Sequence, residues 1–269
     1  SNTVLLQTTM GAVAQTDQAI LNEAHAQGLI CPDKRYDKDT TSAAGAYVAT
    51  PKKGMHKWVG SIDLNSLYPS IIRSCNMSTE TIIGQVRQVY TKELIANAKT
   101  VAEAWEGRFA CPEYELVMQK NIEEILHLDF EDGTSFEATG AEIYEIVFNS
   151  GQPWIISANG TIFTYEKKGV IPGLLERWYA ERKVLQAKAR DARAEGGDKF
   201  AYWDKRQLVK KINLNSLYGA LLNPGSRFFD SRLGQSTTLT GRCIAKHMAG
   251  ELNKIIAGEY NHQGDAIVY

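Results

Sequence analysis

This chain has little that would tie a fold together with metal or disulfides. Its four cysteines, Cys31, Cys75, Cys111 and Cys243, are scattered through 269 residues, with no Cys-x-x-Cys pair and no histidine at ligand spacing. A zinc site is therefore not expected, and a reduced, intracellular setting is the default for such thiols. No apolar run approaches the length of a membrane span and the amino end has no signal-peptide pattern, so no membrane partner is expected. An excess of one charge is lacking too. Thirty basic residues meet thirty-one acidic ones, a net charge of −1. That removes any global argument for a polyanionic partner and leaves only a local patch to make one. No internal repeat or low-complexity tract is present. Ser1-Asn2, with no initiator methionine, reads as the scar of a removed tag.

What is present is an ordinary globular composition, 43% apolar and 23% charged, long enough for one large α/β unit or two domains. Residues 13–28 have helical spacing, and the polar stretch 31–54 reads as loop. Residues 58–63 (WVGSID) read as a buried strand ending on Asp63. Pro69 cannot donate to a ladder but suits the first turn of a helix, so a helix is expected over 69–75. Residues 88–127 look helical and amphipathic. Residues 128–166 carry β-rich pieces, with Asp132-Gly133 and Asn159-Gly160 as hairpin turns. From Pro172 a helical pattern runs to about residue 195, breaks at Gly196-Gly197-Asp198, and resumes over 200–222 before Asn223-Pro224-Gly225. That is an antiparallel helical hairpin. A last helix is expected over 238–257, and residues 265–269 read as a strand.

The basic charge absent overall is concentrated in the hairpin, where between residues 177 and 211 it outnumbers acidic charge by about two to one. Lys211, Asn215 and Tyr218 fall on one helical face, and Arg182, Gln186 and Arg190 form a similar row on the preceding helix. Facing helices could then cradle a polyanion such as a triphosphate, Arg with a forked contact and Lys as a point charge. A solvated basic face would show the same pattern. Asp63, before a tight Ser-Leu-Tyr-Pro turn, suits a hard-cation ligand, since Mg²⁺ takes one or two carboxylates and leaves other positions to water and phosphate. The same aspartate could simply cap the turn. Tyr68 fits a half-buried core position as well as a functional one.

Two stretches resemble a known family. DLNSLYPSII (63–72) resembles motif A of family B DNA polymerases, and KKINLNSLYGALLN (210–223) resembles their motif B. GVIPGLLERWYAERK (169–183) is similar to the entry into their first fingers helix. NMSTETI after the first motif and RFFDSRLGQSTTLTGR after the second most resemble replicative polymerases of T-even-type and related phages. The resemblance implies an α+β fold: a partial palm with an antiparallel sheet, and a two-helix fingers hairpin. Its implied divisions are a linker over 1–54, palm over 55–170, fingers over 171–223 and more palm over 224–269.

It also implies roles. Asp63, Tyr68 and Lys211 would be the catalytic set. Asp63 would bind both Mg²⁺ ions, with the Leu64 carbonyl as a further metal ligand. Ser66 and Leu67 would offer backbone N–H groups to the incoming nucleotide, and Tyr68 would stand under its sugar as a gate against a 2′-hydroxyl. Arg182, Lys211 and Asn215 would hold its phosphates, and Tyr218 and Gly219 would line the nascent base pair. Where the family often has a second fingers lysine, this chain has Gln186. Primer-template DNA and dNTPs would be the partners, in the cytoplasm of an infected bacterium if the source is a phage.

Nucleotidyl transfer needs two metal ions about 3.5–4 Å apart, and one carboxylate cannot hold them. The family's second comes from motif C, Tyr-Gly-Asp-Thr-Asp-Ser. Here Tyr269 aligns with its tyrosine and Asp265 falls in a turn before the strand. The expectation is a split polymerase, with a second polypeptide carrying motif C and the thumb and this chain inactive alone. A chain cut for expression is the other origin considered. The rival functions are a non-catalytic nucleotide- or primer-template-binding remnant and a partner-docking module.

Overall fold

The computed structural model describes residues 11–34, 45–88, 125–196 and 199–269. Helix α1 (Ala12–Ala26) buries Thr16, Ile20 and Ala24 at helical spacing. Helix α2 (Leu67–Ser74) buries Pro69, Ile71 and Ile72; proline is tolerated there because the first turn has no intrahelical partner for its missing N–H. Strands β1 (Ile82–Gln88), β2 (Ile125–Phe130), β3 (Ser135–Thr139), β4 (Trp154–Ile156) and β5 (Thr161–Thr164) follow, with the short helix α3 (Gly140–Tyr144) between β3 and β4. All pairings are antiparallel, in the order β3-β2-β1-β5-β4. The fold is a mixed α+β one, as expected.

Both predicted hairpin turns form. Asp132 Oδ1 accepts from Thr134 N at 2.9 Å inside the β2–β3 turn, and Ser157 N donates to Thr161 O at 2.8 Å across the β4–β5 turn. Adjacent residues of β5 divide the interior, since a strand alternates its faces. Phe163 joins a core built from α1, α2 and the long helices, whereas Ile162 joins one beneath β1, β2 and α3. Both side chains are fully buried.

The long helices α4 (Val170–Ala194) and α5 (Lys199–Leu221) form the expected antiparallel hairpin, closed on Leu174, Leu175, Leu214, Leu217 and Leu221. Helix α6 (Ser231–Ala257) begins a full two turns before the expected start at 238. Asp230 caps it, Oδ1 accepting from Arg232 N at 2.9 Å. Thr237 and Thr238 then donate to the carbonyls of Leu233 and Gly234, both at 2.9 Å. Local back-bonding lets two buried threonines sit in a helix that their propensities disfavour.

The start of α4 is held by the segment just after α2. Asn76, buried and at φ 51°, donates from Nδ2 to the carbonyls of Thr164 and Lys167, both at 2.8 Å, and accepts from Gly169 N at 2.9 Å. Glu80 Oε1 accepts from Val170 N at 2.6 Å, and Ser78 Oγ from Ile171 N at 3.4 Å. Three successive orphan N–H groups of a helix start are thus satisfied from a distant stretch of chain. The approach needs glycine at 169, where a Cβ would stand 2.9 Å from Ser78 Cβ and 3.1 Å from Thr81 Cγ2.

Three expectations need correction. Residues 58–63 form no strand: Trp58 is fully exposed, Val59 and Ile62 largely so, and the five-stranded sheet draws on later residues alone. A strand needs a hydrogen-bonded neighbour, and among the described residues this stretch has none. Residues 265–269 form a turn and an irregular tail, with backbone bonds from Ile267 N to Gly264 O and from Lys52 N to Val268 O, both at 3.0 Å, in place of a ladder. Of the expected helix over 88–127, residues 89–124 lie outside the described residues, residue 88 closes β1 and 125–127 open β2.

Candidate nucleotide site

The site is organised around the amino end of α2. Asp63 is exposed and Leu64 half-buried, in irregular chain just ahead of a turn at Asn65-Ser66. Ser66 takes the left-handed conformation, φ 53°, which swings the chain into the helix; its carbonyl accepts from Ser70 N at 2.9 Å. Among the described residues no side chain caps this end. The N–H groups of Leu67 and Tyr68 lie ahead of that first helical bond, and Pro69 has none. Unpaired donors at the positive end of a helix form a natural position for an anion. Ile71 and Ile72 fix the helix below it, each worth about 1.5–3 kcal/mol of buried apolar side chain.

Tyr68 connects this end to α5. Its ring stacks on Tyr218, with centroids 4.4 Å apart and planes at 26°. The Tyr218 hydroxyl meets Thr238 Oγ1 at 2.5 Å, and that Oγ1 spends its single proton on the Gly234 carbonyl, so tyrosine is the donor. Burial pushes both tyrosine hydroxyls above their ordinary pKa. Both rings therefore stay neutral at physiological pH.

The exposed face of α5 carries the rest of the expected set. Lys211, Asn215 and Gly219 are all exposed there, with Tyr218 half-buried beside them. The adjacent lysines are sorted by the helical turn. Lys210 pairs with Glu181 across the hairpin and lies 5.8 Å over the Trp178 ring, whereas Lys211 forms no ion pair among the described residues. Arg182 of α4 is half-buried, and its Nε donates to Gln207 Oε1 at 3.4 Å. Lys183 and Arg73 lie 5.3 and 4.8 Å from the centre of the Tyr179 ring at the foot of the hairpin.

The structure thus brings Tyr68 and Tyr218 into contact and sets Ser66 and Leu67 at the opening of α2. It does not join Asp63 to Arg182, Lys211 or Asn215 by any hydrogen bond or ion pair among the described residues. Nor do those residues contain a group of three or more His, Cys, Asp or Glu able to hold a metal ion. Asp265 stands exposed in its turn, 3.8 Å from Lys52 Nζ. Sequence reasoning named neither Thr238 nor Gly241, which underlie the two tyrosines from α6. Their only signal was the STTLTG stretch after the second motif, in which nothing local marks one residue above another.

Known proteins resemble this chain along nearly its whole length. A family model described as DNA polymerase family B matches residues 3–266. The DNA polymerase of Red sea bream iridovirus is 27% identical over 257 residues, 89% of this chain and 25% of the viral protein. The DNA-directed DNA polymerase of Escherichia phage RB69 is 23% identical, covering 98% of this chain and 29% of its own. That of Enterobacteria phage T4 is 26% identical over 92% of this chain and 28% of its own. The solved family B DNA polymerase of the hyperthermophilic archaeon Pyrobaculum calidifontis shares the fold at a TM-score of 0.54 and 18% identity, over 91% of this chain and 24% of that one. This chain therefore spans less than a third of the length of the relatives it matches. A family match over nearly all of its residues is decisive: the chain belongs to the family B DNA polymerases.

Proposed function

We propose that this chain is the nucleotide-binding part of a DNA-directed DNA polymerase, of the phage replicative type, that adds dNMP to a primer 3′-hydroxyl on a DNA template. In this reading residues 1–54 lead into the palm, 55–170 and 224–269 are palm, and 171–223 are the fingers. The observation that carries it is the Tyr68–Tyr218 stack, which ties the open amino end of α2 to the exposed Lys211–Asn215 face. Together they offer N–H donors, a cation and an amide to one triphosphate. Arg182 adds a guanidinium from α4, Tyr68 stands under the sugar, and Tyr218 and Gly219 face the nascent base pair.

The Asp63 carboxylate and the Leu64 carbonyl are hard oxygen donors and suit Mg²⁺, which keeps its other positions for water and phosphate. Bound there, a pair of Mg²⁺ ions would supply activation of the attacking hydroxyl and charge neutralisation on the leaving pyrophosphate. Asp63 alone supplies one side of that site. The remaining carboxylates of such a site are supplied from outside these residues.

Primer extension by this chain with and without an added polypeptide carrying a Gly-Asp-Thr-Asp turn and a thumb tests the reading. Extension is expected in the mixture alone, abolished by Asp63→Asn with assembly intact. No extension from two folded, associated parts would overturn it, and nucleotide binding without extension would identify a binding remnant instead.

A further inference from the structure

Helix α6 contains a glycine that its backbone does not need. Gly241 lies in the middle of a 27-residue helix with no positive φ, a place where glycine is among the poorest residues. What it provides is the absence of a side chain. A Cβ at this position would lie 2.9 Å from Tyr68 Cε1 and 3.5 Å from both Tyr68 Cδ1 and Ile71 Cδ1. Ile71 is 3% exposed inside the core and has nowhere to go, so the Tyr68 ring would have to yield.

A second contact holds the ring as well. Tyr218 stacks on it at 4.4 Å and is itself tethered to Thr238, three residues before Gly241 on the same helix. Helix α6 therefore touches the pair twice, through a hydrogen bond to one ring and through bare backbone against the other. A ring fixed by both contacts resists displacement by an added atom, and rejection by a surface that does not give way is how a site discriminates against a slightly larger ligand.

We propose that Gly241 is a positioning residue for sugar selection: it sets the height of the Tyr68 ring and, through it, the exclusion of a 2′-hydroxyl. This rests on the reading of Tyr68 as the sugar gate. Gly241 touches no substrate and acts only through the ring. Active sites respond steeply to such shifts, a displacement of about 1 Å costing on the order of 100-fold.

The test is the ratio of deoxyribonucleotide to ribonucleotide kcat/KM in the complete polymerase containing this chain. Gly241→Ala is expected to lower that ratio about tenfold. Gly250→Ala, in which a Cβ would meet Tyr260 Cε2 at 2.7 Å on the same helix away from the ring, is expected to leave it unchanged. Tyr68→Ala should lower the ratio further, and adding Gly241→Ala to it should change nothing more, because the clashing ring is gone. If Gly241→Ala melts the protein, the double variant should restore folding; failure to do so overturns the contact. If Tyr68→Ala lowers the ratio and Gly241→Ala slows both nucleotides equally, the positioning role falls and the gate stands. If Tyr68→Ala leaves the ratio untouched, the gate reading itself falls, and this inference with it.

Discussion

The two flanks of α2 could hardly be treated more differently by the fold. On the downstream side, Asn76, Met77, Ser78 and Thr81 are buried and their polar groups are satisfied by one another, by the Thr164 and Lys167 carbonyls and by the start of α4. On the upstream side, Trp58, Val59 and Ile62 lie open to solvent, and Asp63 with them. The same eight-residue helix thus has one end locked into the root of the α4–α5 hairpin and the other end free. The difference teaches where the chain spends its order. The locked flank holds the root of the hairpin, and the open flank leaves the Asp63 carboxylate accessible.

Breaking the locked flank should have the largest effect. Asn76→Ala removes three hydrogen bonds and leaves the Gly169 N–H and two carbonyls without their partner. A loss of about 3 kcal/mol is expected, read as a fall in melting temperature of roughly 6–12 °C. Gly169→Ala should cost somewhat less, about 2 kcal/mol, since its Cβ meets the side chains of Ser78 and Thr81 rather than leaving buried groups unpaired. Denaturant unfolding of both variants measures this order; equal stability to the parent would remove the clamp. The open flank should be nearly silent. Trp58→Ser is expected within about 0.5 kcal/mol of the parent in this isolated chain, because a fully exposed ring has no packing to lose. A large destabilisation there would mean that residues 58–63 are packed after all.

Cys75, at the carboxyl end of α2, gives the finest probe. Burial pushes its thiol up to about 11, so below that pH it stays protonated in the fold and is slow to alkylate. Because the folded value is raised above the ordinary 9.0 of a free thiol, the native state binds the proton more tightly. Its contribution to stability is therefore fully present below about pH 9 and is lost as pH rises through about 11. Iodoacetamide labelling at pH 8 should be slow in the native chain and fast in denaturant. Rapid native labelling would show the locked flank to open readily.

Helical spacing, N-terminal proline and Gly-Gly-Asp punctuation made the α4–α5 hairpin legible, and Asp-Gly and Asn-Gly made both β-hairpins so. Those are local signals, carried by backbone preference and short-range patterning. The stretch 58–63 misled for the same reason: apolar residues ahead of a turn look alike whether or not a neighbouring strand exists to take their hydrogen bonds. The start of α6 was missed because Asp230 and the threonines that follow gain their helical bonds only once the chain has turned.

The residues proposed to touch a nucleotide could be anticipated from their own chemistry, Lys211 and Asn215 from their shared face and Tyr68 from its motif. Residues that hold other residues could not. Thr238, Gly241 and Asn76 act across 20, 173 and 93 positions of chain on Tyr218, Tyr68 and Gly169 respectively. The amino-acid sequence by itself determined the helices, the hairpin turns and the identity of the reactive groups, because these depend on spacing and side-chain chemistry. Only the tertiary structure decided which side chain is clamped and which stays open, because burial and contact depend on what lies opposite, and that lies far away along the chain.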